Sequence, residues 1–402
     1  MAHAQARTRL PAAGGVNALY VHAPFCARRC GYCDFAVQVR RTGDLEAWTR
    51  ALRTEMELLE AAGVRLADRL GTLYVGGGTP SLLGPNAMAA LADVLGRERL
   101  GAPALEWTTE ANPESFTPEL ARAWRRAGVT RLSLGVQSFH DGVLRWMGRM
   151  HGPEGARAAV RNAGAAGFES VSVDLIFGLP EGVERDWRRD LDEVERLQVP
   201  HVSLYGLTAE PGTPLGRSVA AGRTRMAPEE RYREEYLTAH QRLTAMGLRA
   251  YEVSNFARPG YESRHNLGYW DGTPYLGLGN GSHSFLPPVR RWNLRDWGAY
   301  LKALEEGRLP EEDRESIGGD ADRMERVWLG LRTIRGIPDA WLRTADARGL
   351  VSGWVAQGLA VWEDGRVRLT PEGWLLLDRL AVELSDHAVC VPLPSAPDRR
   401  GA

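Results

Sequence analysis

The segment Leu19–Phe35, LYVHAPFCARRCGYCDF, is the stretch from which the fold can be argued. The run Ala18–Ala23 is apolar, β-branched and aromatic, and reads as a strand. Directly after it Cys26, Cys30 and Cys33 fall in a C-x3-C-x2-C pattern. Three thiolates on one tight loop can hold three corners of a cubane iron–sulfur cluster and leave the fourth iron open to an exchangeable ligand. Two other readings stay open on these residues alone. A structural zinc site needs a fourth ligand, such as His22 or Cys390, and its paired ligands usually sit at C-x2-C. A disulfide with a spare thiol fits poorly with a chain of four cysteines that shows no secretory signal.

Outward from this loop, short strand-like runs alternate with longer helical patterns. Strands are expected at Ala18–Ala23, Thr72–Val75, Leu105–Ala111, Arg131–Val136, Ser170–Phe177 and His201–Tyr205, and helices at Asp44–Ala62, Pro85–Leu95, Pro118–Ala127, Pro153–Ala166 and Glu184–Leu197. Pro85, Pro118 and Pro153 stand where a first helical turn tolerates proline, and Gly63, Gly128 and Gly167 where a helix should stop. Such alternation implies parallel strands joined by right-handed crossovers. The expected class is therefore α/β, a partial, TIM-like (β/α)6 barrel, with chemistry at the carboxyl ends of its strands.

The other candidate residues fall at those ends. Gly76, Gly77 and Gly78, followed by Thr79, form a strand-to-helix turn that lets backbone approach a ligand and aim N–H donors at it. Glu110, Gln137 and Asp174 place a polar group on each of three consecutive apolar strands, where burial is unfavourable without a partner. Ordinary backbone partners would satisfy any one of them; three in succession suggest a shared ligand. Further on, His265, Asn266, Tyr269 and Trp270 spell HNxxYW. Histidine among aromatics suits a flat ligand, and imidazole is a common axial ligand of heme iron. His283 is a second candidate, and simple closure of the barrel side is the alternative role for the motif.

At 402 residues and 44% hydrophobic content the chain can bury a large core. The expected layout is a disordered leader over 1–16, the barrel over 17–250, an HNxxYW-containing extension over 251–319, a winged-helix-like α+β domain over 320–384 and a tail over 385–402. A net charge of −1 argues against a nucleic-acid surface, as does the mixed charge near the wing turn Asp364–Gly365. No apolar run reaches the length of a membrane span, and an exposed cluster wants a reducing compartment, so a cytoplasmic protein is expected.

The cysteine spacing, with an aromatic two residues beyond the last cysteine, resembles the radical S-adenosylmethionine (SAM) superfamily. YVHAPFC followed by CDF resembles its coproporphyrinogen III dehydrogenase-like (HemN/HemW) branch, which contains both oxygen-independent dehydrogenases and heme chaperones. The resemblance runs from Tyr20 to about Leu384. It implies a [4Fe-4S] cluster on Cys26, Cys30 and Cys33, and SAM bound by Tyr20, Gly77, Gly78, Thr79, Glu110, Gln137, Arg149 and Asp174. Within that set, Asp174 or Gln137 would meet ribose hydroxyls, while Arg149 and Glu110 would address the methionine end. The dehydrogenases carry one more cysteine where this chain has Phe35, and a longer N-terminal region; HNxxYW resembles a motif of the chaperones. The expectation is a chaperone that holds one heme, with His265 as its ligand, and passes it to an acceptor protein, an electron donor being needed only if SAM is cleaved. The alternative is a coproporphyrinogen dehydrogenase or another radical SAM enzyme acting on a porphyrin-like substrate.

Overall fold

A computed structural model describes residues 15–388. Most of the expected leader and the tail from residue 389, including Cys390, lie outside the described residues. Val16, assigned to the leader, belongs to the fold: it bridges to Leu66, donates to the Arg65 carbonyl at 2.9 Å and is buried.

The chain divides into two compact units, one holding residues up to 249 and 254–316, the other 250–253 and 317 onward. In the first, β1 (Ala18–Ala23), β2 (Thr72–Gly77), β3 (Glu106–Ala111), β4 (Arg131–Gln137), β5 (Ser170–Phe177) and β6 (His201–Gly206) pair parallel in sequence order. Beyond β6 comes the antiparallel strand β7 (Asn255–Ala257), and β8 (Leu276–Leu278) pairs parallel to the other side of β1. The order is that of an open, partial barrel.

Alternation along the strands explains its stability. Leu19, Val21, Leu73, Val75, Leu132, Leu134, Val173 and Leu204 are almost wholly buried and form one apolar set. Of the residues between them, Tyr74 bonds to Glu110, Ser133 to Asp174 and Ser172 to His201 across the strands, Tyr20 meets His22 along β1, and together they make a polar interior. A period of two therefore sorts apolar packing from polar chemistry on the same strand.

Around the sheet lie α1 (Leu45–Ala61), α2 (Ala87–Leu95), α3 (Pro118–Ala127), α4 (Asp141–Met147), α5 (Pro153–Ala165), α6 (Trp187–Leu197), α7 (Pro214–Ala220) and α8 (Glu229–Ala245). Pro118 and Pro153 occupy first turns as expected, and Gly128 closes α3 in the left-handed conformation. Pro85 does not start α2; a 3-10 turn over Pro80–Leu83 precedes that helix. HNxxYW is helical, in α9 (Arg264–Trp270), and the antiparallel sheet β9 (His283–Leu286), β10 (Val289–Asn293), β11 (Glu311–Ser316) and α10 (Trp297–Glu305) complete the unit.

The second unit contains α11 (Gly319–Arg332), β12 (Ile337–Pro338), α12 (Ala345–Ala356), the hairpin β13 (Ala360–Glu363) and β14 (Arg366–Leu369), α13 (Pro371–Trp374) and α14 (Leu377–Ser385). Helix, helix and hairpin follow in a winged-helix-like order. Between β12 and α12 lies a 3-10 turn over Asp339–Trp341, and the helical run after Thr370 is broken after Trp374. Asp364 and Gly365 both have positive φ, 53° and 70°, the conformation a two-residue hairpin turn requires. Among the described residues no helix is long and apolar enough to cross a membrane.

Candidate functional site

The cysteine loop is built outward from β1. Phe25, fully buried, fixes its start, and a short parallel pairing with Gln38–Val39 ties its two arms together. Tyr32, between the second and third cysteines, packs on the apolar cluster of Val143, Met147, Ile176, Leu179, Leu207 and Leu215. The Gly31 carbonyl accepts from the Leu215 amide at 2.9 Å. The loop is thereby anchored to the carboxyl ends of β5 and β6.

Cys26, Cys30 and Cys33 are free thiols of intermediate exposure. Burial pushes the Cys26 thiol up to about 11, against a hydrogen bond from Thr79, and pushes Cys33 up as well. Thiols of this kind release protons when they take a metal. Among the described residues no three His, Cys, Asp or Glu side chains converge on a single ion. A cubane asks for something else, since each thiolate addresses its own iron. The donor set, three accessible thiols on one loop with no disulfide among them, fits a [4Fe-4S] cluster.

Around the thiols is a shell of hydrogen bonds. Thr79 Oγ1 lies 3.3 Å from Cys26 Sγ and accepts from Asn112 Nδ2 at 3.1 Å. Arg149 approaches Cys30 Sγ with Nη1 at 3.9 Å, while its Nη2 donates to Asn112 Oδ1 at 2.7 Å and to the Gly135 carbonyl at 2.6 Å. Asn112, in the TTEANP segment, thus joins the residue beside Cys26 to the residue beside Cys30. The sequence reading passed over it; its place two residues beyond Glu110 at a strand's carboxyl end was the available signal. A cleft bordered by Cys30, Thr79, Asn112, Glu114, Arg149 and Met150 opens here.

The glycine turn works differently from the expectation. The Gly77 amide donates to Glu110 Oε2 at 3.1 Å, the Gly78 amide to the Ala23 carbonyl at 2.8 Å and the Thr79 amide to the Phe25 carbonyl at 2.7 Å. Those donors are occupied by the protein and do not await a ligand. Glycine is needed for close approach: a Cβ on Gly77, at φ 104°, would lie 2.3 Å from the His22 ring, and one on Gly76 would lie 2.8 Å from the Glu110 carboxylate.

Deeper in the barrel, Glu110 also accepts from the Tyr74 hydroxyl at 2.8 Å. Burial raises its pKa to about 7, opposed by the Tyr74 hydrogen bond. Asp174 is raised by burial too and accepts from Ser133 at 2.9 Å and Ser172 at 3.4 Å. Tyr20 stacks near Tyr74, centroids 6.1 Å apart, and its hydroxyl lies 3.1 Å from His22 Nδ1. Gln137 is a non-glycine residue at φ 68°, and its buried Oε1 has no partner. Strain and an unsatisfied buried acceptor coincide at functional positions because a ligand can repay both. The structure therefore gathers Tyr20, Glu110, Gln137 and Asp174 on one polar barrel interior, with Thr79 and Arg149 at the thiols.

His265 is not part of that gathering at the thiols. It is 3% exposed, with Nδ1 2.9 Å from Thr72 Oγ1 and Nε2 2.8 Å from the Tyr269 hydroxyl. Thr72 opens β2, at the end of the strand opposite the glycine turn. An axial ligand needs a nitrogen lone pair with open space before it. Here both nitrogens are taken by hydroxyl partners and the ring is enclosed, so the expectation of a heme-facing nitrogen meets a buried ring instead. His283 is exposed, and its ring stacks on Trp292 with centroids 5.7 Å apart.

Comparison with known proteins follows the same lines. The radical SAM superfamily profile matches residues 20–194. The curated heme chaperone HemW of Mycobacterium tuberculosis is 42% identical over 92% of this chain and 94% of its own. The heme chaperone HemW of Bacillus subtilis is 31% identical over 90% and 97%. Among solved structures, the radical SAM coproporphyrinogen III oxidase HemN of Escherichia coli superposes with a TM-score of 0.77 at 21% identity, covering 92% of this chain and 90% of that one. That likeness establishes the fold.

Proposed function

The chain belongs to the HemW family of the radical SAM superfamily, and on that footing we propose that it is a heme chaperone, binding one heme and transferring it to an acceptor protein. The superfamily implies a [4Fe-4S] cluster and SAM. When bound, the cluster supplies an open iron for SAM and an electron should SAM be cleaved. Cys26, Cys30 and Cys33 hold it, Thr79 and Arg149 steady Cys26 and Cys30, and Glu110 with Arg149 receives the charged methionine end. Gln137 and Asp174 take the ribose hydroxyls, and Tyr20, Gly77 and Gly78 shape the wall. Of the two imidazoles put forward for heme, His283 is the one with an open ring; His265 would have to leave both of its hydrogen bonds. A reducing compartment suits three free, partly accessible thiols, and we place the protein in the cytoplasm.

The observation that carries the chaperone reading over the dehydrogenase is the site's composition at Phe35. Where dehydrogenases of the branch carry a cysteine, this chain places a phenylalanine that is 58% exposed beside the cluster loop. An apolar ring in water next to the cluster suits contact with a flat apolar cargo. Reconstituted protein incubated with coproporphyrinogen III, SAM and a reductant is expected to form no protoporphyrinogen, read by chromatography. Stoichiometric conversion would establish the dehydrogenase instead.

A further inference from the structure

We propose that HNxxYW is a positioning device: α9 forms the floor of the barrel and, through Tyr74, holds Glu110 in the orientation that receives the methionine end of SAM. The inference rests on the SAM-site reading above for what Glu110 receives.

The relay is continuous. The Tyr269 hydroxyl meets His265 Nε2 at 2.8 Å with the rings edge to face, and Tyr275 packs edge-on against Tyr269 at 4.6 Å. The His265 ring stacks on Tyr74, centroids 5.3 Å apart, and the Tyr74 hydroxyl donates to Glu110 at 2.8 Å. Strand β3 clamps the helix from the same side as it presents Glu110. Glu106, four residues earlier on that strand, accepts from the amides of Arg264 and His265, both at 2.9 Å. Ser263 caps the helix through the Asn266 amide. One strand thus fixes both ends of the relay.

The chemistry suits a neutral spacer. Burial pushes His265 down to about 3, so at neutral pH the ring carries one proton. Thr72 and Tyr269 hydroxyls each donate or accept, so either tautomer is satisfied. A charged imidazole there would disturb the field at Glu110. Glu110 faces Asp174 from β5, Arg131 from β4, Tyr20 from β1 and Tyr269 from α9 besides Tyr74. Of these, Tyr74 supplies the hydrogen bond that favours the carboxylate.

The test is SAM binding to reconstituted protein across pH 6–9. The ammonium of the methionine end pairs with ionised Glu110, so wild-type affinity should rise with pH through a midpoint near 7. Tyr74→Phe keeps the ring and removes the hydroxyl; it should weaken SAM about tenfold at pH 7 and move the midpoint up by about one pH unit. His265→Ala should shift the curve the same way, and His265→Gln, which can donate and accept, should restore it in part. Hemin binding should be unchanged in all three. Should His265→Ala fail to fold, Tyr74→Phe decides alone. SAM curves of Tyr74→Phe that coincide with wild type would overturn the proposal, as would loss of hemin binding in His265→Ala at unchanged SAM affinity. Wild type that binds no SAM would overturn the site reading, and the inference with it.

Discussion

Serine at Cys30 is expected to abolish the cluster. Each of the three thiolates is the sole protein ligand of one iron in the proposed site, so no neighbour replaces a missing sulfur. A serine hydroxyl is a harder, far less acidic donor and does not substitute for thiolate toward iron. Iron and acid-labile sulfide after anaerobic reconstitution should fall to background, together with the broad visible absorbance. Thr79→Val makes the graded comparison. It removes only the hydroxyl beside Cys26 Sγ at 3.3 Å, and loss of such an outer contact typically weakens a metal site by about 10–100-fold without eliminating it. A Cys30→Ser protein with wild-type iron and sulfide would refute the ligand assignment.

The second large effect is structural. Asp190 on α6 is buried completely and accepts from Ser138 Oγ at 2.9 Å and from the Phe139 amide at 2.6 Å. The Arg185 guanidinium lies 3.6 Å away, itself 2% exposed, and reaches Glu235 at 2.8 Å. Burial raises Asp190 and lowers Arg185, each toward its neutral form, against their mutual attraction. What the pair holds is the turn directly after Gln137. Asp190→Ala leaves the Phe139 amide and Ser138 hydroxyl without their acceptor and Arg185 with one counter-charge fewer. Chemical unfolding should show a loss of about 3–5 kcal/mol. Asp190→Asn, which keeps an acceptor oxygen, should lose less. A loss under about 1 kcal/mol for the alanine variant would contradict this account.

How far the sequence could be read follows from the range of the interactions. The cysteine loop, the strands from Ala18–Ala23 to Ser170–Phe177, and the proline and glycine punctuation of α3 and α5 are local, and periodicity displays them. Glu110, Gln137 and Asp174 were visible because a polar residue in an apolar strand is locally anomalous. The burial of His265 could not be read because its partner Thr72 is 193 positions away, and composition gives no sign of such a pairing. The packing role of the glycine turn was hidden for a related reason: that Gly76 admits the Glu110 carboxylate becomes evident only once β2 lies against β3. Asn112 escaped because its importance lies in bridging Thr79 and Arg149, residues on separate elements.

The central claim is that this chain carries heme as cargo. It is tested most directly by titrating hemin into anaerobically reconstituted protein whose iron and sulfide match one cubane per chain. The account predicts a shifted Soret band that saturates at one heme per chain. A Soret band that stays that of free hemin throughout, on protein with its cluster intact, would contradict it.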